Sequence, residues 1–158
     1  LEYATLGTTS VVKNADETIS SNATLQNDDE LVVAVSASTD YIYTAHILME
    51  SSSNADFKYA FTLPGSPTLV GHRTHLYVVG GAASTSGNKI QSDDSANQTT
   101  DSLTLPVGNT TRHGIMVFGA FRNGSNSGNL QLQWAQGTSH SDDTIVGASS
   151  WLSVVQAS

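Results

Sequence analysis

Leu130-Gln131-Leu132-Gln133-Trp134-Ala135-Gln136 alternates apolar and polar side chains almost without fault. Because successive side chains of a β-strand point to opposite faces of its sheet, this period of two predicts a strand with one buried and one solvated face. No window of the chain shows a convincing helical stripe of apolar residues. The expectation for the whole chain is therefore an all-β fold.

The stretches around this strand repeat the same period. Residues 41–49 are apolar at every odd position and mixed at the even ones, as expected for a strand covered on both sides. Further strands are predicted at residues 31–35, 57–62, 75–79, 114–121 and 150–155, and weaker ones at 8–13, 17–25, 89–91, 102–107 and 144–146. With turn residues between them, about nine to eleven antiparallel strands predict a β-sandwich or a barrel.

The length of 158 residues fits one domain. Residues 1–16 lack a clear alternating pattern, so we expect an N-terminal arm or a first strand there, followed by a single β-sandwich domain over residues 17–158. Residues 80–100 and 122–129 are small and polar and are expected to form long loops, the second a mobile hairpin tip. The first residues carry no basic or apolar segment, so no signal peptide is expected.

The charge balance excludes several classes of function. Lys and Arg number 6 against 14 Asp and Glu, which gives a formal net charge of -8. Neutralising phosphates requires Lys and Arg, so we expect no nucleic-acid partner and no membrane partner. No segment approaches the ~20 apolar residues of a membrane-spanning helix. The absence of cysteine excludes disulfides and thiol nucleophiles.

Candidate catalytic and metal-binding residues are sparse. His72 and His75 are spaced H-x-x-H, but residues three apart in a strand point to opposite faces, so no metal site is expected. The acidic clusters at residues 28–30, 93–94 and 142–143 are interpreted as solvated turn carboxylates, with calcium binding as the alternative. No nucleophile elbow or phosphate-binding loop is present. We therefore expect no enzymatic activity, no catalytic residue and no cofactor.

Aromatic residues at alternating positions have two interpretations. Core packing is the first, and the set comprises Phe57, Tyr59, Phe61, Trp134 and Trp151. A platform that stacks on sugar rings is the second, because carbohydrate-binding β-sandwiches expose aromatic faces. Tyr41 and Tyr43 fit either role.

Three parts of the chain together resemble the small β-structured virion proteins of tailed bacteriophages. They are Ala15-Asp16-Glu17-Thr18 with Thr24-Leu25-Gln26-Asn27-Asp28-Asp29-Glu30-Leu31, then Asp56-Phe57-Lys58-Tyr59-Ala60-Phe61, and last residues 130–136 with Gly147-Ala148-Ser149-Ser150-Trp151-Leu152-Ser153-Val154. The closing strand is also similar to the last strand of trimeric jelly rolls of the tumour-necrosis-factor and C1q type.

The resemblance implies a jelly-roll-like β-sandwich that forms a homotrimer in a virion. Such proteins occur as capsid decoration (cement) proteins and as domains of tail fibres, and the resemblance does not choose between the two. Because the chain lacks the long repetitive shaft of a fibre, we expect a decoration protein, which binds the major capsid protein or other virion proteins on the outer surface of the shell and stabilises it. An arm over residues 1–16 would grip the shell, and its removal would leave the domain folded. The alternative is a tail fibre or appendage module that binds a receptor or a host-surface glycan. The expected interface residues are Tyr3, Tyr41, Tyr43, Trp134 and Trp151.

Overall fold

Twelve β-strands form in the part of the chain that this computed structural model describes, which is residues 7–65, 67, 69–77, 90–93, 103–105 and 109–157. The strands are β1 (Thr8–Val12), β2 (Glu17–Ile19), β3 (Gln26–Val35), β4 (Asp40–Ser51), β5 (Phe57–Thr62), β6 (Leu69–Tyr77), β7 (Ile90–Asp93), β8 (Leu103–Leu105), β9 (Asn109–Arg122), β10 (Gly128–Gln136), β11 (Thr144–Val146) and β12 (Trp151–Gln156). No helix occurs among these residues, so the all-β expectation is confirmed. Every weaker candidate forms a strand, which gives one more strand than the expected nine to eleven.

The strands pack as two antiparallel sheets with jelly-roll connections. The larger sheet has the order β1-β12-β4-β9-β6-β7, with β2 and β11 beside β4, and the smaller sheet has the order β3-β10-β5-β8. The chain crosses repeatedly between them, from β3 to β4 to β5 and from β8 to β9 to β10 to β11. Strands that pair within a sheet therefore come from distant parts of the chain, as in the Greek keys of a jelly roll.

The core lies between the two sheets. The odd-numbered residues of β4 point into it and are at most 8% exposed, namely Tyr41, Tyr43, Ala45, Ile47 and Met49. From the smaller sheet, Leu130, Leu132 and Trp134 are fully buried, which confirms the inward phase of the alternating stretch. Tyr43 meets Phe61 across the core with ring centroids 5.4 Å apart. Removing these rings from water stabilises the sandwich.

The described N-terminal residues join the larger sheet. β1 pairs with β12, from Thr8 opposite Val155 to Val12 opposite Trp151. The next residue, Lys13, is buried, and its Nζ lies 3.0 Å from Asp28 Oδ2. Residues 1–16 were expected to form either an N-terminal arm or a first strand, and the described part of this segment contains a first strand, β1. Removal of residues 1–16 would take away an edge strand and a buried cation, and the folding of the remainder stays a prediction.

The segment after β9 is a connection between sheets and not a hairpin tip, because β9 lies in the larger sheet and β10 in the smaller. Asn123 is buried there, and its side-chain amide donates to the carbonyl oxygens of Ser36 (2.7 Å) and Asn126 (2.9 Å). The Ser38 N–H donates to the Gly124 carbonyl oxygen at 2.7 Å. These bonds tie the segment to the β3–β4 turn and overturn the expectation of a mobile hairpin. The other expected loop, residues 80–100, contains β7, and its remainder lies outside the described residues.

Candidate functional site

The side of the larger sheet that points away from the smaller sheet is the candidate site, and we call it the outer face. Strand register places Ile42 of β4 opposite Ala120 of β9 and Val155 of β12. In the next rows along the strands, Thr44 is opposite Phe118, and His46 is opposite both Met116 and Trp151. Val12 of β1 lies opposite Trp151 and extends the face to the sheet edge. Mainly apolar side chains from four strands thus form one surface.

Several large hydrophobic side chains of the outer face are exposed to solvent. Among the described residues, the large hydrophobic side chains that remain exposed are Val12 at 54%, Ile42 at 52% and Phe118 at 45%, and all of them belong to the outer face. Exposed apolar residues scattered singly are ordinary, whereas a concentration of them on one face marks an interaction surface. The outer face therefore has the character of a protein-binding surface.

Ion pairs close both ends of the outer face. At one end Arg122 contacts Asp40 at 3.1 Å, and at the other Arg112 contacts Glu50 at 2.9 Å and Asp16 at 2.8 Å. Hydrogen bonds to Asp16 and Glu50 raise the pKa of Arg112, and the same contact with Arg112 lowers the pKa of Asp16. Between these pairs, the outward positions of β4 and β9 carry no Asp, Glu, Lys or Arg. The middle of the face is therefore uncharged on β4 and β9, whereas strand register places Arg73 of the neighbouring β6 opposite Phe118.

Gly114 shapes the middle of the face. A Cβ atom at this position would lie 2.8 Å from His46 Nε2, so the glycine leaves space for the imidazole against the sheet. The ring centroids of His46 and Trp151 lie 6.3 Å apart. The absence of a side chain at Gly114 thus lets His46 lie beside β9 in the middle of the outer face.

The expected interface residues divide between the core and the outer face. Trp151 lies partly buried on the outer face, where an intersubunit role stays a prediction. Tyr41, Tyr43 and Trp134 are 8%, 2% and 0% exposed, and they fill the core of their own chain. A side chain enclosed between the two sheets cannot contact a second subunit, so these three assignments are corrected. Tyr3 lies outside the described residues.

The sugar-stacking interpretation fails for four of its five rings for the same reason, and for Trp151, which is only partly buried on the outer face, it stays a prediction. The relevant rings are at most 5% exposed, namely Phe57, Tyr59, Phe61 and Trp134. Phe57 and Trp134 stack on each other with centroids 6.2 Å apart. These four residues therefore pack in the hydrophobic core, as the first interpretation of the aromatic residues predicted.

Sequence reasoning passed over Ile42 and Phe118. The signal for Ile42 was present, because the mixed even positions of β4 predicted a strand covered on both sides. In the folded chain the odd side of β4 is covered, while Ile42 on the even side stays half exposed. The described part of the chain therefore covers β4 on one side and leaves Ile42 on the other side accessible.

The acidic clusters differ in their surroundings. Asp28 is fully buried, so its assignment as a solvated turn carboxylate was wrong. Glu50, Ser51, Asp142, Asp143 and Ile145 line an open pocket of about 340 Å³. A hydrogen bond from Ser52 and the charge of His140 lower the pKa of Asp142. Within the described ranges, no group of three or more His, Asp and Glu is arranged to hold a metal ion.

A search of the described residues finds no helix that is long and apolar enough to span a membrane. No family model matches the chain, and no curated protein matches it. Among solved structures, the chain is similar to Eiger TNF from S. frugiperda, with 11% identity, a TM-score of 0.44, and coverage of 97% of this chain and 93% of that one.

Two viral structures are also similar over 97% of this chain. They are infectious bursal disease virus Gt strain, at 10% identity and a TM-score of 0.27, and the infectious bursal disease virus VP2 subviral particle, at 9% identity and a TM-score of 0.24. This chain spans 38% and 40% of the length of those two viral chains.

Proposed function

We propose that this chain is a structural protein of a tailed-phage virion, a capsid decoration protein that binds the outside of the shell as a homotrimer and stabilises it. The observation that carries the proposal is the outer face, an exposed apolar surface that is uncharged in its middle on β4 and β9, on an otherwise polar, acidic chain. The trimer and the phage particle come from the sequence resemblance, and the role is non-enzymatic.

The charge distribution favours further copies of this chain as the occupant of the outer face. With a formal charge of -8, two copies repel each other unless they meet through a neutral patch. The outer face supplies that patch, since Asp40 and Glu50 at its ends are already paired with arginines of the same chain. Apolar centres with polar rims are typical of stable subunit interfaces.

The acidic surface also favours the outside of a shell. A net-negative chain repels packaged DNA, and it offers few cations to neutralise the phosphates of a nucleic-acid partner. Many copies that each bury an added interface would make the lattice harder to take apart, because each contact must open before the shell does. The function is therefore mechanical, and it needs no catalytic residue.

The test is the binding of purified chain to shells that lack it, measured by co-sedimentation and by electron microscopy. We expect the wild-type chain to coat the shell at many regular positions. Phe118→Asp places a charge in the middle of the outer face and is expected to abolish coating. Asn129→Asp adds the same charge to an exposed position of β10 on the smaller sheet, and is expected to coat normally.

Two outcomes contradict the proposal. If the chain is found at a few positions on the tail of intact particles, the tail-appendage alternative is correct. If Phe118→Asp coats shells as the wild type does, the outer face is not needed for assembly.

A further inference from the structure

A lysine and two carboxylates lie together where β1 ends and β3 begins. The side chains of Lys13 and Asp28 are 1% and 0% exposed, and Nζ is 3.0 Å from Asp28 Oδ2. Nζ also donates to Glu17 Oε2 at 2.7 Å, and Glu17 is 26% exposed. Glu30 Oε1 lies farther away, at 4.0 Å. Such burial strips water from an amine and a carboxyl group that are already in contact.

The backbone around Asp28 is arranged like the donor pair of an oxyanion hole. Asp28 Oδ1 accepts hydrogen bonds from the N–H of Leu31 at 2.7 Å and of Glu30 at 3.0 Å. The ladder between β3 and β10 shifts register at this point, and the side chain of Gln131 donates to the Asp28 carbonyl oxygen at 2.9 Å. These two N–H groups are in place before any reaction, on the oxygen that would carry the negative charge.

We propose that Lys13 and Asp28 form an intramolecular isopeptide bond, an amide between Nζ and Cγ, with Glu17 as the proton carrier. The ammonium first passes a proton to Asp28 Oδ2, which leaves a neutral amine beside a neutral carboxyl group. The Nζ lone pair then attacks Cγ, and the C=O electrons move onto Oδ1, where the two N–H groups hold the negative charge.

The remaining steps return every proton. Glu17 takes a proton from the attached nitrogen while the tetrahedral intermediate is held. The C=O bond of Oδ1 re-forms, the bond from Cγ to Oδ2 breaks, and Oδ2 leaves as water with the proton that Glu17 gives back. The net change is one ammonium and one carboxylate converted to one amide and one water, so no oxidant or other co-reactant is needed.

The titration behaviour of Glu17 fits its role as the proton carrier, whereas that of Lys13 favours the ammonium over the neutral amine. Burial raises the pKa of Glu17, which brings this carboxyl group closer to the range where it both accepts and releases a proton. Burial alone would lower the pKa of Lys13, but its bonds to Glu17 and Asp28 outweigh that effect and raise it. The proton therefore has to pass directly to a neighbouring carboxylate, and both acceptors are in contact with Nζ.

The bond would join the two sheets at one edge of the sandwich. β1 is the edge strand of the larger sheet and β3 is the edge strand of the smaller one. In a chain without cysteine, an amide is a covalent link that reducing conditions cannot open. The link would hold the N-terminal strand in place when the chain is pulled or heated.

The test is the intact mass of the folded full-length chain, measured under denaturing conditions and followed by peptide mapping. We expect the wild type to be lighter than its sequence by one water, with Lys13 and Asp28 in one branched peptide. Lys13→Arg keeps a cation but cannot form this amide, and Asp28→Ala removes the electrophile, so both are expected at full mass. Glu17→Gln is expected to slow bond formation, seen as a mixture of the two masses in fresh protein.

The proposal is overturned if folded wild type has the full sequence mass, since Lys13 and Asp28 are then an ion pair only. It is equally overturned if Lys13→Arg retains the loss of water, because the loss then arises at another position. The wild-type mass decides the question even if a variant fails to fold.

Discussion

The two sides of β4 both carry large apolar side chains, but they differ in their remaining residues and in their surroundings. The odd side, from Tyr41 to Met49, faces the smaller sheet and is buried within one chain. The even side carries Ile42 and Leu48 with Thr44 and His46 between them, and Ile42 remains 52% exposed. One strand thus serves as a core element on one side and as a binding surface on the other. The smaller sheet buries only the odd side of β4, so the apolar residues on the even side remain available for contact with another molecule.

The two tryptophans give the largest expected contrast between these sides. Trp134 is fully buried, so Trp134→Ala leaves a cavity and is expected to cost roughly 3–5 kcal/mol of unfolding free energy. Trp151 is only partly buried on the outer face, so Trp151→Ala is expected to cost about 1 kcal/mol and to weaken self-association. Chemical denaturation of both variants measures the difference. Equal losses would mean that the outer face belongs to the core of the single chain.

Two glycines of β9 test the same contrast with smaller changes. A Cβ at Gly119 would lie 2.1 Å from Tyr43 Cζ inside the core, whereas one at Gly114 would meet only the movable end of His46 on the outer face. Gly119→Ala is expected to destabilise the chain by about 1–3 kcal/mol. Gly114→Ala is expected to stay within about 0.5 kcal/mol of the wild type. Thermal unfolding of the two variants ranks them, and the reverse order would contradict the assigned sides of β9.

The smallest expected effect comes from the charged end of the outer face. Arg112 lowers the pKa of Asp16 from its ordinary value of 3.8, so the ionised carboxylate is favoured in the folded state. Its contribution to stability is present above that value and is lost as the pH falls through the lower folded pKa. Between about pH 4 and pH 2, the wild type should lose more of its melting temperature than Asp16→Asn does. Parallel acid-induced losses would show that this exposed pair contributes nothing.

The period of two predicted the strands from sequence because side-chain alternation is local. It also showed that the odd side of β4 is apolar throughout, but it predicted cover on both sides of this strand. It could not show that Ile42 on the even side stays exposed, because that depends on what packs against the sheet. The burial of Asp28 was also beyond local reasoning, since the residues beside it, Asp29 and Glu30, are acidic too. Its partner Lys13 lies on another element and meets it only after the two sheet edges come together. The outer face could not be predicted either, because its residues lie on β1, β12, β4 and β9 and become neighbours only when these strands pair.

Sedimentation velocity of the purified chain tests the central claim most directly, since that claim is that copies of the chain cover each other's outer faces. The wild type and Asn129→Asp are expected to sediment as trimers. Ile42→Asp is expected to sediment as a folded monomer, with circular dichroism unchanged, because a carboxylate in the middle of the face cannot be buried without a partner. A wild type that stays monomeric at high concentration would contradict the account, and so would an Ile42→Asp variant that remains trimeric.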